Sequence, residues 1–162
     1  MTNEEYNICV DLYADNIYRF VLKHIRNIDA AKDIVQETFT KVWVKHEKVD
    51  YSKAKSYFFT AAHHTLIDLV RKEKYKTDIE SQNLPVEDLG MKNIDLKVKL
   101  DHALNQLSDI QKSLVLLRDY EGYGYDEIGE ITNLNESQVK VYIFRARKKL
   151  KDILVSVEAV LD

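Results

Sequence analysis

The sequence predicts an all-α protein of two small helical domains, a three-helix bundle and then a helix-turn-helix domain, joined by a linker. Three observations lead there. Apolar residues recur at helical spacing along most of the chain. Four glycines and one proline leave little material for hairpin turns. The one stretch without periodicity, residues 77–90, holds that single proline, Pro85, together with the turn formers Ser81, Asn83, Asp88 and Gly90.

Taken in order, residues 4–25 place Ile8, Leu12, Tyr13, Ile17, Phe20 and Val21 on one helical stripe. After the break at Asn27-Ile28-Asp29, a second helix carries Ala31, Ile34, Val35, Phe39, Val42 and Trp43 at the same period. A third, over 53–74, carries Phe58, Ala62, Leu66, Leu69 and Val70. Short connections between three amphipathic helices make a bundle. The domain boundaries expected are 1–76 for the bundle, 77–94 for an acidic, mobile linker and 95–162 for the second domain.

Helical pattern resumes with Leu96, Leu100, Ala103, Leu104 and Leu107. Ser108 and Gln111 then form a capping box, in which each side chain satisfies a free backbone N–H at a helix start. The helix they open is expected to reach Tyr120 and to stop near Gly122, which tolerates positive φ. A short helix over 125–132 ends at Asn133, suited to the left-handed conformation. Asn135 and Gln138 form a second capping box. The last helix keeps Val139, Ile143, Ala146, Leu150, Leu154 and Val157 in register.

Composition narrows the function. A hydrophobic content of 45% with 31% charged residues suits a soluble globular protein and excludes wholesale disorder. Cys9 is the only cysteine, so no internal disulfide can form. No apolar stretch approaches the roughly 20 residues that span a bilayer, and Met1-Thr2-Asn3-Glu4-Glu5 lacks the basic start of a signal peptide. A cytoplasmic protein without membrane insertion is expected. No Gly-rich phosphate loop or nucleophile–base pair is apparent, which argues against catalysis. His64 and Asp68 share a helix face but lack further ligands nearby, so neither a metal site nor a cofactor is expected.

The net charge of −3 is unlike the basic footprint of most nucleic-acid binders, but its distribution is uneven. From Lys140 to Lys151 there are six basic residues and no acidic one. Between Lys76 and Leu96, Asp78, Glu80, Glu87, Asp88 and Asp95 outweigh Lys76 and Lys92. Such a chain binds free DNA weakly, because phosphate neutralisation dominates that affinity, and needs a second partner to hold it there.

A short helix, a three-residue turn with a left-handed residue and a capped basic helix make the helix-turn-helix pattern. A plain helical hairpin with a solvated basic face has the same spacing. The residues themselves separate the two. Leu114-Val115-Leu116-Leu117-Arg118-Asp119-Tyr120-Glu121-Gly122, Tyr125-Asp126-Glu127-Ile128 and Val139 to Leu150 resemble region four of bacterial sigma factors of the extracytoplasmic-function group. The likeness covers about 95–154. Asp29 to Trp43 resembles the region-two segment that docks on the coiled coil of the largest RNA polymerase subunit. Tyr57 to Lys72 resembles the segment that opens the strands and reads the minus-ten element.

The resemblance implies an alternative-type sigma factor. Its partners would be core RNA polymerase, promoter DNA and an anti-sigma factor. The exposed polar residues Asp33, Gln36 and Glu37 are the expected polymerase contacts, with Trp43 and the other apolar residues of that helix as core. Tyr57, Phe59, His63, His64, Arg71, Lys72 and Lys74 are the candidates for the minus-ten strand, held by aromatic stacking and cations. Tyr57 and Phe59 are expected to face solvent or DNA, and Phe58 the core. Asn135, Ser137, Gln138, Lys140, Val141, Tyr142, Arg145, Arg147 and Lys148 are the candidates for the minus-thirty-five duplex.

There are departures from the family. His63-His64 stands where Arg-Asn is usual, and a His cannot read a base edge bidentately as Asn does. Val141, Tyr142 and Phe144 replace Ser, Arg and His, which exchanges polar contacts for apolar packing. Gly124 replaces a Ser cap. Two other classes fit parts of the chain. A dimeric duplex-binding regulator would use the N-terminal half as a sensor, which has no need of the 33–43 and 57–72 motifs. An interaction adaptor with a degenerate DNA face draws on the apolar Val141, Tyr142 and Phe144.

Overall fold

The structure, a computed structural model, describes residues 1–80 and 96–161, with side chains for 1–74 and 96–156. No strand occurs among them. The N-terminal half consists of α1 (Asn3–Ile25), α2 (Ile28–Lys45) and α3 (Ala54–Glu80), with two short 3₁₀ turns before α3. The C-terminal half consists of α4 (Leu96–Asn105), α5 (Asp109–Val115), α6 (Tyr125–Thr132) and α7 (Glu136–Leu161).

The helix ends follow local chemistry. Thr2 and Glu5 close a capping box on α1. Arg26 ends that helix in the left-handed conformation (φ 55°), donating its N–H to the Leu22 carbonyl at 2.7 Å. Asn27 then caps α2 by accepting from the Ala30 N–H at 3.0 Å. Ser108 and Gln111 cap α5 as expected.

Beyond Val115 the chain does not continue as a regular α-helix. Leu116–Tyr120 forms a π-helical turn, with the Glu121 N–H donating to the Leu116 carbonyl at 3.0 Å, before Gly122 (φ 76°) redirects it. At the expected linker, α3 runs past Thr77 to Glu80, because no Gly or Pro interrupts it there. The rest of that segment, 81–95, lies outside the described residues.

Burial corrects the stripe expected for α1. Tyr6, Cys9, Ile17, Phe20, Val21 and His24 are buried, whereas Ile8 and Leu12 are exposed. The bundle meets α1 on a face rotated from the one that apolar content alone suggests. Trp43, expected in the core, is 43% exposed and stacks on His46 at a centroid distance of 4.2 Å. Phe58, Ala62 and Leu66 of α3 are fully buried, as are Val139 and Ala146 of α7. Full burial of such apolar side chains contributes roughly 1.5–3 kcal/mol each for the large ones.

One apolar core runs through both halves. α3 packs on α6, and α1 on α5. A T-shaped Phe59–Tyr123 pair (5.1 Å) bridges the seam and continues through Phe20–Phe59 (6.0 Å) into the bundle. The two halves are thus held closed by side chains that sequence periodicity treats as belonging to separate domains.

Candidate nucleic-acid interface

The helix-turn-helix is built from α6, its turn and α7. Asn133 sits at φ 59°, ψ 42°, and both its N–H and that of Leu134 point back to the Gly129 carbonyl. A Cβ on Gly129 would lie 2.6 Å from the Leu134 carbonyl oxygen, so the close approach of turn to helix requires glycine there. Asn135 accepts from the Gln138 N–H at 2.8 Å and Gln138 returns the bond at 3.1 Å, which fixes the start of α7. Gly124 opens α6 without a side-chain cap, at a cost of a few tenths of a kcal/mol against Ser.

Val139, Ile143 and Ala146 anchor α7, so its opposite side is free. Asn135, Ser137, Gln138, Lys140, Val141, Arg145 and Lys148 are all exposed, while Tyr142 is half-buried. Lys140 pairs with Glu136 at 3.2 Å and rests near the Tyr125 ring. Arg147 differs from its neighbours. It is exposed, but Asp119 holds its Nε at 3.2 Å and raises its pKa, so it braces the π-helical turn against α7. Among the described residues, Arg145 and Lys148 have no ion pair.

A second surface lies between α2 and α3. An open groove of about 640 Å³ is lined by Tyr57, Thr60, His64 and the acidic Asp68 from α3 and by Lys41, Val44 and Lys45 from α2. Tyr57 is half-buried in its wall and His64 is exposed. Arg71, Lys72 and Lys74 are exposed further along α3, with Lys74 paired to Asp109 of α5. Asp33, Gln36 and Glu37 are exposed on α2, and Glu37 pairs with Lys41 at 3.1 Å.

Phe59 and His63 do not share that groove. Phe59 is fully buried and His63 is 5% exposed, both in the seam, which corrects the expectation that Phe59 faces solvent or DNA. The reason is tertiary: α6 and Tyr123 cover that side of α3.

Sequence reasoning missed the rest of the seam. His24 places its Nε2 3.1 Å from the Ser113 hydroxyl and 3.2 Å from the Asp109 carbonyl. Buried Lys112 donates to the His24 carbonyl (2.8 Å), bringing a cation to the negative end of α1. Arg19 lies 3.9 Å from Glu121, and Lys23 and Lys55 sit over Tyr120 and Tyr123. His24 follows Ile17, Phe20 and Val21 at helical spacing, a signal that could have placed it in the interior.

Burial, reinforced by Lys112, lowers the His24 pKa to about 4. Burial, with His24, His64 and Arg71 nearby, lowers that of His63 to about 4 as well. Burial also lowers the Lys112 pKa. Both ring nitrogens of His63, Nδ1 of His24 and the Tyr123 hydroxyl are buried without hydrogen-bond partners among the described residues. All four atoms belong to residues of the seam, where close packing coexists with poor polar satisfaction.

Residues 9–75 match Sigma-70 region 2, and residues 97–150 match Sigma-70, region 4. The RNA polymerase sigma factor SigV of Bacillus subtilis (strain 168) is 30% identical over 144 residues, covering 88% of this chain and 87% of that protein. The ECF RNA polymerase sigma factor SigM of the same organism is 28% identical over 145 residues, covering 86% and 89%. This chain belongs to the extracytoplasmic-function sigma factors.

Solved structures share the fold. The sigma factor RpoE of Bartonella quintana, in complex with the anti-sigma factor NepR, superposes with a TM-score of 0.74 at 23% identity, covering 90% of this chain and 93% of that one. CnrH in complex with the cytosolic domain of CnrY gives 0.73 at 17% identity, covering 96% and 90%. Like its family, this sigma factor directs promoter recognition by RNA polymerase. No helix among its described residues is long and apolar enough to cross a membrane.

Proposed function

We propose that this sigma factor docks on core RNA polymerase through the α2 face bearing Asp33, Gln36 and Glu37. The α2–α3 groove holds the melted minus-ten strand, with Tyr57 and His64 against bases and Lys41, Lys45, Arg71 and Lys72 near phosphates. The outward side of α7 enters the major groove of the minus-thirty-five element. Polymerase supplies the chemistry of nucleotide addition. The chain acts in the cytoplasm and supplies promoter choice and strand opening.

One observation carries this reading. The chain presents two solvent-open surfaces of different kinds, an aromatic and cationic groove suited to single strands and a helix-turn-helix face suited to duplex. A dimeric duplex reader has no use for the first.

The closed seam adds a condition. Phe59 and His63 are covered in the seam, so contact with the strand rests on Tyr57 and His64 in the open groove. The sigma factor RpoE of Bartonella quintana is solved in complex with an anti-sigma factor, and a partner of that kind is inferred for this chain.

Run-off transcription with added core polymerase, on a library of upstream sequences, tests the whole reading. Initiation confined to a subset of sequences is expected. No stimulation of core polymerase on any template would overturn it.

A further inference from the structure

The outward side of α7 is less polar than its charge suggests. Val141 is 45% and Phe144 70% exposed, and neither packs into the helix-turn-helix core. Single exposed apolar residues are ordinary on protein surfaces. Here two stand one turn apart on the same helix face, opposite Val139, Ile143 and Ala146. Lys140, Arg145 and Lys148 surround them. A cationic rim around an apolar island is complementary to a polyanion with an apolar feature inside its groove. In the major groove of duplex DNA the apolar feature at base edges is the thymine C5-methyl group.

We propose that Val141 and Phe144 read thymine methyl groups in the upstream promoter element, so that its recognition rests on methyl contact beside phosphate neutralisation. This rests on the reading that α7 enters the major groove. Three residues of helix rise about 4.5 Å, and successive bases of one strand are about 3.4 Å apart. The pair therefore spans thymines at neighbouring base pairs.

The test uses holoenzyme assembled from the full chain and core polymerase. Upstream elements are selected from randomised duplex, and each dT of the selected element is then replaced by dU, which lacks only the methyl. Each replacement beneath the pair should weaken wild-type binding roughly fourfold, the effect of exposing one buried methyl. A V141A/F144A variant should bind the dT and dU duplexes alike. Both side chains are exposed, and an unchanged melting temperature with normal assembly on core polymerase confirms that the variant is folded.

A selected element insensitive to every dU replacement overturns the inference while leaving the placement of α7 intact. So does a variant with the same dU sensitivity as wild type, including one that instead loses a protein partner, which would make the apolar pair a protein-docking site. If no upstream element is selected at all, the placement of α7 falls and this inference with it.

Discussion

Acid should open the seam between the two halves. His24 and His63 are both lowered from 6.5 to about 4, by burial first and by neighbouring cations second. Around His24 stand Lys112, Ser113 and Asp109 of α5 and His63 of α3; around His63 stand His24, His64 and Arg71. A shift of that size means the closed form disfavours each imidazolium by about 3 kcal/mol relative to solvent, at about 1.4 kcal/mol per unit. Because the closed-state pKa values are depressed, the stabilisation is complete above pH 6.5 and is lost as the pH falls from there towards 4. At pH 5 the loss is about 2 kcal/mol for one ring, or roughly 30-fold in the ratio of closed to open.

Energy transfer between labels at the exposed Glu47 and Ser156, each changed to Cys, reports separation of the halves, since Cys9 is buried. Far-UV circular dichroism in parallel separates opening from unfolding. Transfer should fall between pH 7.5 and 5 with helicity retained. His63→Phe removes one titrating ring and should flatten that dependence. Equal transfer at both pH values, or a His63→Phe profile matching wild type, would refute the reasoning.

Lys112→Met removes charge-assisted bonds to the His24 carbonyl and Asn105 (2.8 and 3.1 Å). It should favour the open form at neutral pH by about 1–3 kcal/mol, read by the same energy-transfer pair. Gly129→Ala drives a Cβ against the Leu134 carbonyl oxygen at 2.6 Å; urea unfolding should show a loss of about 1–3 kcal/mol. Arg145→Glu with Lys148→Glu should weaken promoter binding by holoenzyme and reduce its salt dependence, leaving core-polymerase affinity unchanged in titration. Arg147 is a poorer choice for that test because of its bond to Asp119. Asp33→Ala with Glu37→Ala should weaken association with core polymerase in a competition assay, and an unchanged affinity would return both residues to a merely solvated face.

Much of the candidate site was legible without coordinates because its determinants are local. The left-handed Asn133, the Asn135–Gln138 box and the spacing of Val139, Ile143 and Ala146 each depend on residues within a turn or two of one another. Backbone sterics, capping and amphipathic period act over that range, so the helix-turn-helix and the exposure of Asp33, Gln36 and Glu37 could be expected from sequence. Family membership likewise rests on the order and spacing of such local segments.

Exposure within the bundle was less legible. A helical period says that a face is buried but not against which neighbour. Ile8, Leu12 and Trp43 therefore lie on stripes that the fold leaves open, while His24 and His63 lie on ones it closes.

The sequence by itself determined the all-helical class, the helix caps and the helix-turn-helix, because these follow from short-range chemistry. Only the tertiary structure decided that Phe59 and His63 are covered by Tyr123 and α6, and that Lys112 reaches the end of α1. Those contacts join residues about sixty to ninety positions apart, and their energies come from burial and desolvation, which exist only once the two halves meet.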